Sequence, residues 1–288
     1  MCDKDNNGPF IVDTSFTRRS VVLTMSSLAA AAALPGCAFA ANVTEKDVMV
    51  ETPDGKADAA LFHPAGAGSW PAVLMWPDIL GLRPAFRDMG RRLAAQGYTV
   101  LVPNPFYRTK RAPIVTGPFD FSDPKQVAPL MDLKASLSDE RIDKDAAAFI
   151  AFLDAQKQTD RKRAAGVQGY CFSGPFAFRT GADRSDRIRA VATFHGGGLV
   201  TKDPTSPHLL IPKTKASFVV AIAQNDDAKQ PDAKDVLRAT FAAAKRPAVV
   251  EVFPADHGWC VPGSQAYNEP AAEKAWAELL KLYKESLA

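Results

Sequence analysis

The chain has 288 residues, of which 47% are hydrophobic, and a formal net charge of +3. This length is enough to bury a sizeable core. The small charge and the lack of a basic stripe with interleaved aromatics argue against binding to nucleic acid. Motifs of zinc sites and phosphate-binding loops, such as H-E-x-x-H, C-x-x-C and G-x-x-x-x-G-K-[ST], are absent from the sequence, so neither a metal nor a cofactor is expected.

The first 40 residues resemble a twin-arginine export signal. Arg18 and Arg19 precede a mildly apolar run, which ends near the A-x-A cleavage pattern of residues 38–40. The run is too short and alanine-rich for a stable membrane span of about 20 residues. We expect a signal peptide over residues 1–40 and export to the bacterial periplasm. Two alternatives stay open: lipidation at Cys37, and a cytoplasmic location if the signal is misread.

Short apolar runs alternate with helical patterns along the rest of the chain. Strands are predicted at Val48–Glu51, Ala59–Phe62, Ala72–Trp76, Thr99–Val102, Ala164–Gly169, Ala190–His195, Ser217–Ala223 and Val249–Phe253. Helices are predicted at Ala85–Gln96, Ser138–Ala155, Gly174–Thr180, Ala233–Lys245 and Pro270–Leu287. The alternation favours a doubly wound, mostly parallel sheet of about eight strands flanked by helices. We expect one domain over residues 41–288 without a separate cap domain.

One long connection, Asn104–Lys134, contains five prolines and is predicted to be irregular. It follows a strand end and precedes the candidate nucleophile in the chain. Loops in such places often shape the specificity of a site. We therefore expect it to border the pocket.

A thiol stands at a predicted sharp turn between a strand and a helix. The stretch Gly169–Gly174 reads G-Y-C-F-S-G and matches the G-x-S-x-G nucleophile turn, with Cys171 in place of the serine. Ser173 takes the place of the second glycine. The alternative is a buried structural cysteine, since free cysteines often behave as small hydrophobes.

An acid and a base follow Cys171 in the order that a catalytic triad requires. Asp226 and Asp227 follow one strand-like run, and His257 follows the next. Catalytic groups gather at the carboxyl ends of parallel strands. We therefore predict His257 as the base. Asp226, one residue nearer the strand end, is preferred to Asp227 as the acid.

The other histidines fit the base less well. His63 comes too early in the chain, and His208 lies in a proline-rich connection. His195 ends a predicted strand at the same sheet edge but precedes the acids, so it remains a weaker alternative.

These motifs are similar to those of the dienelactone hydrolase family of α/β-hydrolases. The resemblance rests on Gly169–Cys171, on Ala255–Trp259, and on the W-P-D-I-L-G-L stretch Trp76–Leu82 with Arg91–Val100 behind it. It extends from about Val48 to the C-terminus. It implies a Cys-His-Asp triad that hydrolyses small esters or lactones through a thioester acyl-enzyme, without a cofactor.

The resemblance also implies an oxyanion hole and a switch for the thiol. The backbone N–H groups of Ile79 and Phe172 stand where the family has its two oxyanion donors. A family glutamate beside the first donor holds the resting thiol until substrate displaces it. Asp78, one methylene shorter, occupies that place.

Substrate recognition is expected to depart from the family pattern. The family holds an anionic lactone with arginines, one of them shortly after the catalytic histidine, but no arginine follows His257 closely here. Arg83, Arg108 and Arg111 are alternative clamps. Without a clamp the substrate is a neutral or more hydrophobic ester or lactone.

Aromatic residues near predicted strand ends suggest an apolar pocket, as small-molecule sites usually are. The candidates are Trp76, Phe106, Tyr107 and Trp259. A second function class stays open beside the hydrolase: a noncatalytic or redox-responsive small-molecule-binding protein. A disulfide between Cys171 and Cys260 would favour that alternative. The sequence leaves the oligomeric state open.

Overall fold

A computed structural model describes residues 11–12 and 43–288 of the chain. The predicted signal peptide, its cleavage after Ala40 and the alternative lipidation at Cys37 lie outside the described residues, apart from Ile11 and Val12. Within the described part, no helix is both long and apolar enough to cross a membrane.

Ten strands are present among the described residues: β1 (Ile11–Val12), β2 (Val43–Thr52), β3 (Gly55–Pro64), β4 (Ala72–Trp76), β5 (Thr99–Pro103), β6 (Phe119–Asp120), β7 (Ala165–Tyr170), β8 (Ile188–Phe194), β9 (Ser217–Ala223) and β10 (Ala248–Phe253). Eight of them form one sheet in the order β10-β9-β8-β7-β4-β5-β3-β2. Within this sheet β3 runs antiparallel to both of its neighbours, and the other pairs are parallel. β1 and β6 form a separate two-stranded antiparallel ladder.

Seven α-helices accompany these strands in the described ranges: α1 (Pro84–Ala94), α2 (Pro124–Ala135), α3 (Asp139–Asp154), α4 (Gly174–Asp183), α5 (Gln224–Lys229), α6 (Ala233–Ala243) and α7 (Glu269–Ser286). Two 3₁₀ helices, Cys171–Ser173 and Pro207–Lys213, complete the set. The helices α1 and α3 to α7 pack against the eight-stranded sheet, and α2 packs against β6.

The central strands are buried on both faces because helices cover both sides of the sheet. Every residue of β4, β5 and β7 is buried, which explains why these strands read as continuous apolar runs rather than alternating ones. Successive side chains of one strand then enter different cores, as Val73 and Leu74 do. The predicted fold, an α/β-hydrolase sheet of eight mostly parallel strands without a separate cap domain, is confirmed.

The connection Asn104–Lys134 is the main correction to the predicted elements. It was expected to be irregular, but α2 fills much of its second half. Asp123 caps this helix by accepting a hydrogen bond from the Lys125 N–H at 2.9 Å. Pro124 occupies the first helical turn, where a missing N–H costs nothing. A proline in this connection therefore indicates the start of a helix as well as it indicates a loop.

Candidate active site

Cys171 occupies a strained backbone position at the end of β7. Its φ angle is +56°, in the left-handed region that residues other than glycine rarely adopt. The chain passes from β7 through the short 3₁₀ helix into α4. The turn is so tight that a Cβ on Gly169 would lie 2.2 Å from the carbonyl oxygen of Ser173. Strain of this kind is typical of functional sites.

Ser173 contributes hydrogen bonds to this turn rather than a small volume alone. Its hydroxyl accepts from the Tyr170 N–H at 2.9 Å and lies 3.1 Å from the carbonyl oxygen of Trp76, to which it can donate. Ser173 is fully buried. The serine that departs from the G-x-S-x-G pattern therefore links the end of β4 to the turn that carries Cys171.

Asp226 and His257 come together because two adjacent parallel strands end in register. Ala223 at the end of β9 pairs with Phe253 at the end of β10. The Asn225 side chain then accepts a hydrogen bond from the His257 N–H at 2.9 Å. Asp226, in the first turn of α5, lies with Oδ2 2.6 Å from Nδ1 of His257.

The neighbouring acids are engaged elsewhere. Asp227 forms an ion pair with Lys234 at 2.8 Å, and Asp256 accepts a hydrogen bond from the Gln224 side chain at 3.1 Å. Of the two aspartates that the sequence left open, Asp226 is therefore the one that contacts His257.

The environment of His257 favours its protonated form. Burial alone lowers the pKa of this imidazole, but hydrogen bonds with Asp226 and with Cys171 outweigh burial and raise the pKa to about 10. Cys171, His257 and Asp226 thus form one connected chain of side chains. The imidazole can hold a proton between the sulfur and the carboxylate, as nucleophilic catalysis requires.

His195, the weaker candidate base, packs beside His257. The ring centroids lie 4.8 Å apart, and His195 is only 1% exposed. Neither of its ring nitrogens has a hydrogen-bond partner in residues 43–288. Burial, and then the charge of His257, hold the pKa of His195 well below 6.5. His195 is therefore a neutral neighbour of His257.

Cys171 and His257 open into a cavity of about 750 Å³. Its lining is mostly apolar and aromatic, with polar groups from α2, from α5 and from the loops that carry Cys171 and His257. The lining residues are Ile79, Phe121, Met131, Lys134, Leu137, Cys171, Phe172, Pro175, Phe176, Gly197, Gly198, Asn225, Asp226, Lys229 and His257. Ile79 and Phe172, the predicted oxyanion donors, are both on this list. A volume of this size suits a small organic ligand.

The four aromatic residues predicted to line the pocket are not on this cavity's wall. Trp76 is fully buried between Phe149 and Phe176. Phe106 stacks behind Phe172, with ring centroids 5.6 Å apart. The prediction is wrong for these two residues. Trp76 at the end of β4 and Phe106 in a buried loop both point into the core.

The prediction is also wrong for Tyr107 and Trp259, because their side chains face the core. The Tyr107 hydroxyl donates to buried Asp145 at 2.8 Å, and Trp259 stacks on Phe253 with ring centroids 4.6 Å apart. Both are buried away from the cavity. Residues near a strand end can face either the site or the core, and the sequence did not separate the two.

Sequence reasoning missed the contribution of α2 and α5 to the cavity. Met131 and Lys134 project into it from α2, and Lys229 from α5. The i, i+3 spacing of Met131 and Lys134 places them on one helix face. That signal was readable in the sequence once residues 124–135 were taken as a helix.

None of the three arginines offered as substrate clamps lines the cavity. Arg108 pairs with Asp145 and Asp54, and Arg111 with Asp58. Arg83 donates two hydrogen bonds to Asp78, at 2.5 and 2.8 Å. Both carboxylate oxygens of the predicted thiol-switch acid are thus bound to an arginine.

The two described cysteines, Cys171 and Cys260, are both free thiols. Burial, and then the charge of Asp78, raise the pKa of Cys260 well above its usual value, so it is held as the neutral thiol. Across residues 43–288, no group of three or more His, Cys, Asp or Glu side chains is placed to hold a metal ion.

The chain is similar in sequence to known carboxymethylenebutenolidases. A carboxymethylenebutenolidase from Rhodococcus opacus is 25% identical over 232 residues, covering 79% of this chain and 86% of the relative. A candidate carboxymethylenebutenolidase from Synechocystis is 25% identical over 252 residues, covering 85% and 99%.

Solved structures share the fold. A candidate dienelactone hydrolase from Klebsiella pneumoniae has a TM-score of 0.72 at 20% identity, covering 84% of this chain and 98% of its own. A dienelactone hydrolase from Anabaena variabilis has a TM-score of 0.57 at 17% identity, covering 86% and 100%. Residues 57–287 match the model of the Dienelactone hydrolase family. The chain therefore belongs to the dienelactone hydrolase family of hydrolases.

Proposed function

We propose that the chain hydrolyses small carboxylic esters or lactones, with Cys171 as nucleophile, His257 as base and Asp226 as the acid that orients the base. One observation carries the proposal: these three side chains line one cavity, with His257 Nδ1 2.6 Å from Asp226 Oδ2. The family supplies the class of reaction. The relative named carboxymethylenebutenolidase makes a lactone a sensible first substrate.

The chemistry follows from the residue types. His257 takes the thiol proton as the Cys171 sulfur attacks the carbonyl carbon. A C–S bond forms, and the carbonyl oxygen becomes an oxyanion facing the N–H groups of Ile79 and Phe172. His257 gives its proton to the leaving oxygen as the C–O bond breaks, which leaves a thioester. Water attacks this thioester while His257 takes its proton. The C–S bond breaks, His257 returns this proton to the Cys171 sulfur, and the carboxylic acid and the free thiol are released.

The cavity wall favours a neutral, apolar acyl group. Two of its phenylalanines, Phe172 and Phe176, form a connected surface, since they meet edge to face with ring centroids 5.0 Å apart. No arginine lines the cavity in the described ranges. The two lysines, Lys134 and Lys229, are largely exposed, so their attraction for an anion is screened by solvent.

The alternative function, a noncatalytic or redox-responsive binding protein, is not favoured. It required a blocked pocket or a Cys171–Cys260 disulfide. The cavity beside Cys171 is open, and both cysteines are free.

The test is hydrolysis of p-nitrophenyl esters and small lactones, including a dienelactone, under reducing conditions. We expect turnover by the wild type, none by Cys171→Ala, and near wild-type turnover by Cys260→Ala, the matched control. Mass spectrometry of the wild type during turnover is expected to show one acyl group on Cys171. Turnover that survives in Cys171→Ala would mean a different nucleophile.

We also propose that residues 1–40 direct export through the twin-arginine route, as their sequence suggests. Expression of the full chain in a bacterium is expected to give periplasmic protein beginning at Ala41. Replacing both Arg18 and Arg19 by lysine is expected to retain the full-length chain in the cytoplasm. Lipidation at Cys37 would instead give a membrane-bound product of higher mass.

A further inference from the structure

A buried ion pair stands at the base of the loop that carries Ile79. Arg83 Nη1 lies 2.5 Å from Asp78 Oδ1, and Arg83 Nη2 lies 2.8 Å from Asp78 Oδ2. The two side chains are only 3% and 12% exposed. Two parallel hydrogen bonds of this kind fix the relative orientation of both groups.

Asp78 is also hydrogen-bonded to the backbone that follows Ile79. Asp78 Oδ1 accepts a hydrogen bond from the Leu80 N–H at 3.0 Å. The Asp78 carbonyl accepts from the Gly81 N–H at 2.8 Å, in a turn that needs a φ of +70° at Gly81. Asp78 thus satisfies the two N–H groups after Ile79. The Ile79 N–H itself has no hydrogen bond to the described residues, so it remains available as a donor.

Arg83 also joins this loop to the strand of the nucleophile. Its guanidinium lies over the ring of Phe86, 5.1 Å from the centroid. Phe86 in turn meets the ring of Tyr170 edge to face at 5.3 Å. Tyr170 directly precedes Cys171. Arg83 is therefore linked through Phe86 to the segment that carries the second proposed oxyanion donor.

We propose that Arg83 and Asp78 are positioning residues that hold the Ile79 N–H toward the oxyanion formed at Cys171. The inference rests on the proposed hydrolase function. It gives Asp78 a different task from the thiol switch that the family resemblance implies. An acid whose two oxygens both bind Arg83 is committed to the loop and does not need to contact the thiol.

The test separates positioning from thiol activation. Arg83→Met is expected to lower kcat for p-nitrophenyl butyrate by roughly 10- to 100-fold, because losing one oxyanion donor costs about 100- to 1000-fold and a misplaced donor costs less. KM is expected to stay within about twofold. The rate of Cys171 alkylation by iodoacetamide across pH is expected to stay as in the wild type, since alkylation forms no oxyanion. Arg87→Met, which removes a paired arginine of α1, is the matched control.

A second variant guards against simple unfolding. Asp78→Leu/Arg83→Met removes both charges, and replacing a buried pair by apolar groups is often tolerated. If the pair positions the loop, this variant is folded by circular dichroism yet retains the low kcat. Wild-type kcat in either folded variant would overturn the proposal. An alkylation profile that shifts in Asp78→Asn would also overturn it, in favour of a thiol switch.

An alkyl trifluoromethyl ketone distinguishes failure of the proposed hydrolase function from failure of the positioning role alone. The Cys171 sulfur adds reversibly to its carbonyl carbon, and the carbonyl oxygen becomes an anion without any leaving group. We expect Arg83→Met to weaken this adduct by about tenfold or more even if the esters tried are poor substrates. Equal affinity in wild type and variant would overturn the positioning role alone. A wild type that neither forms the adduct nor hydrolyses any ester would overturn both proposals.

Discussion

Asp226 Oδ2 lies 2.6 Å from His257 Nδ1, a separation set by the matched ends of β9 and β10. The hydrogen bond fixes which ring nitrogen of His257 bears the proton toward Asp226, and so leaves the other nitrogen for the thiol. This orientation is specific to one of two adjacent acids, because Asp227 is bound to Lys234.

The first prediction uses this pair of acids as variant and control. Asp226→Asn is expected to lower kcat for the best ester by roughly 100-fold or more, since the amide favours the wrong tautomer of His257. Asp227→Asn is expected to stay within about twofold of wild type. Steady-state kinetics of the two variants checks both. If Asp227→Asn alone lost activity, the acid would be misassigned.

The second prediction concerns the ionisation of His257. Its pKa is raised from 6.5 to about 10 by its contacts with Asp226 and Cys171, against the effect of burial. A raised pKa in the folded state means that protonation stabilises the fold. This contribution is full below about pH 6.5, declines as the pH rises, and is lost near pH 10. NMR titration of the imidazole is expected to give a midpoint near 10, and a lower one in Cys171→Ala. A wild-type midpoint near 6.5 would contradict the effect assigned to the contacts of His257 with Asp226 and Cys171.

The third prediction concerns the turn that carries the proposed nucleophile, Cys171. Ser173→Ala removes the acceptor of the Tyr170 N–H and the donor to the Trp76 carbonyl. Leaving such buried groups unpaired costs about 1–3 kcal/mol. Urea unfolding is expected to show this loss, together with a lower kcat. Ser122→Ala, an exposed serine, serves as control. Unchanged stability in Ser173→Ala would mean that the turn does not depend on the hydroxyl.

The fourth prediction tests the placement of Tyr107 outside the pocket. Tyr107→Phe removes a hydroxyl that donates to Asp145 at 2.8 Å but leaves the cavity wall untouched. We expect the free energy of unfolding to fall by about 1–3 kcal/mol and the kinetics to stay within about twofold of wild type. Tyr267→Phe, at an exposed tyrosine, is expected to change neither. A selective change in KM for Tyr107→Phe would return this residue to the pocket.

The sequence predicted the sheet well because buried parallel strands are continuous apolar runs with sharp ends. Ala72–Trp76 and Ser217–Ala223 begin and end where predicted. The ends of β7, β9 and β10 also located Cys171, Asp226 and His257 at one sheet edge. Side-chain direction was the harder part. Trp76 ends β4 and still faces the core, because it packs against Phe149 and Phe176, which lie far away in the chain.

The fifth prediction concerns α2, the helix that sequence reasoning missed. Met131 projects from it into the cavity and is 40% exposed, so truncation widens the pocket at little cost to the fold. Met131→Ala is expected to raise the ratio of kcat/KM for p-nitrophenyl octanoate to that for butyrate by about tenfold, since pocket contacts of this size are worth about 1–3 kcal/mol. Met49→Ala, at a similarly exposed methionine of β2, is the control and should leave the ratio unchanged. An unchanged ratio in Met131→Ala would place the acyl group elsewhere in the cavity, beside α5 rather than α2.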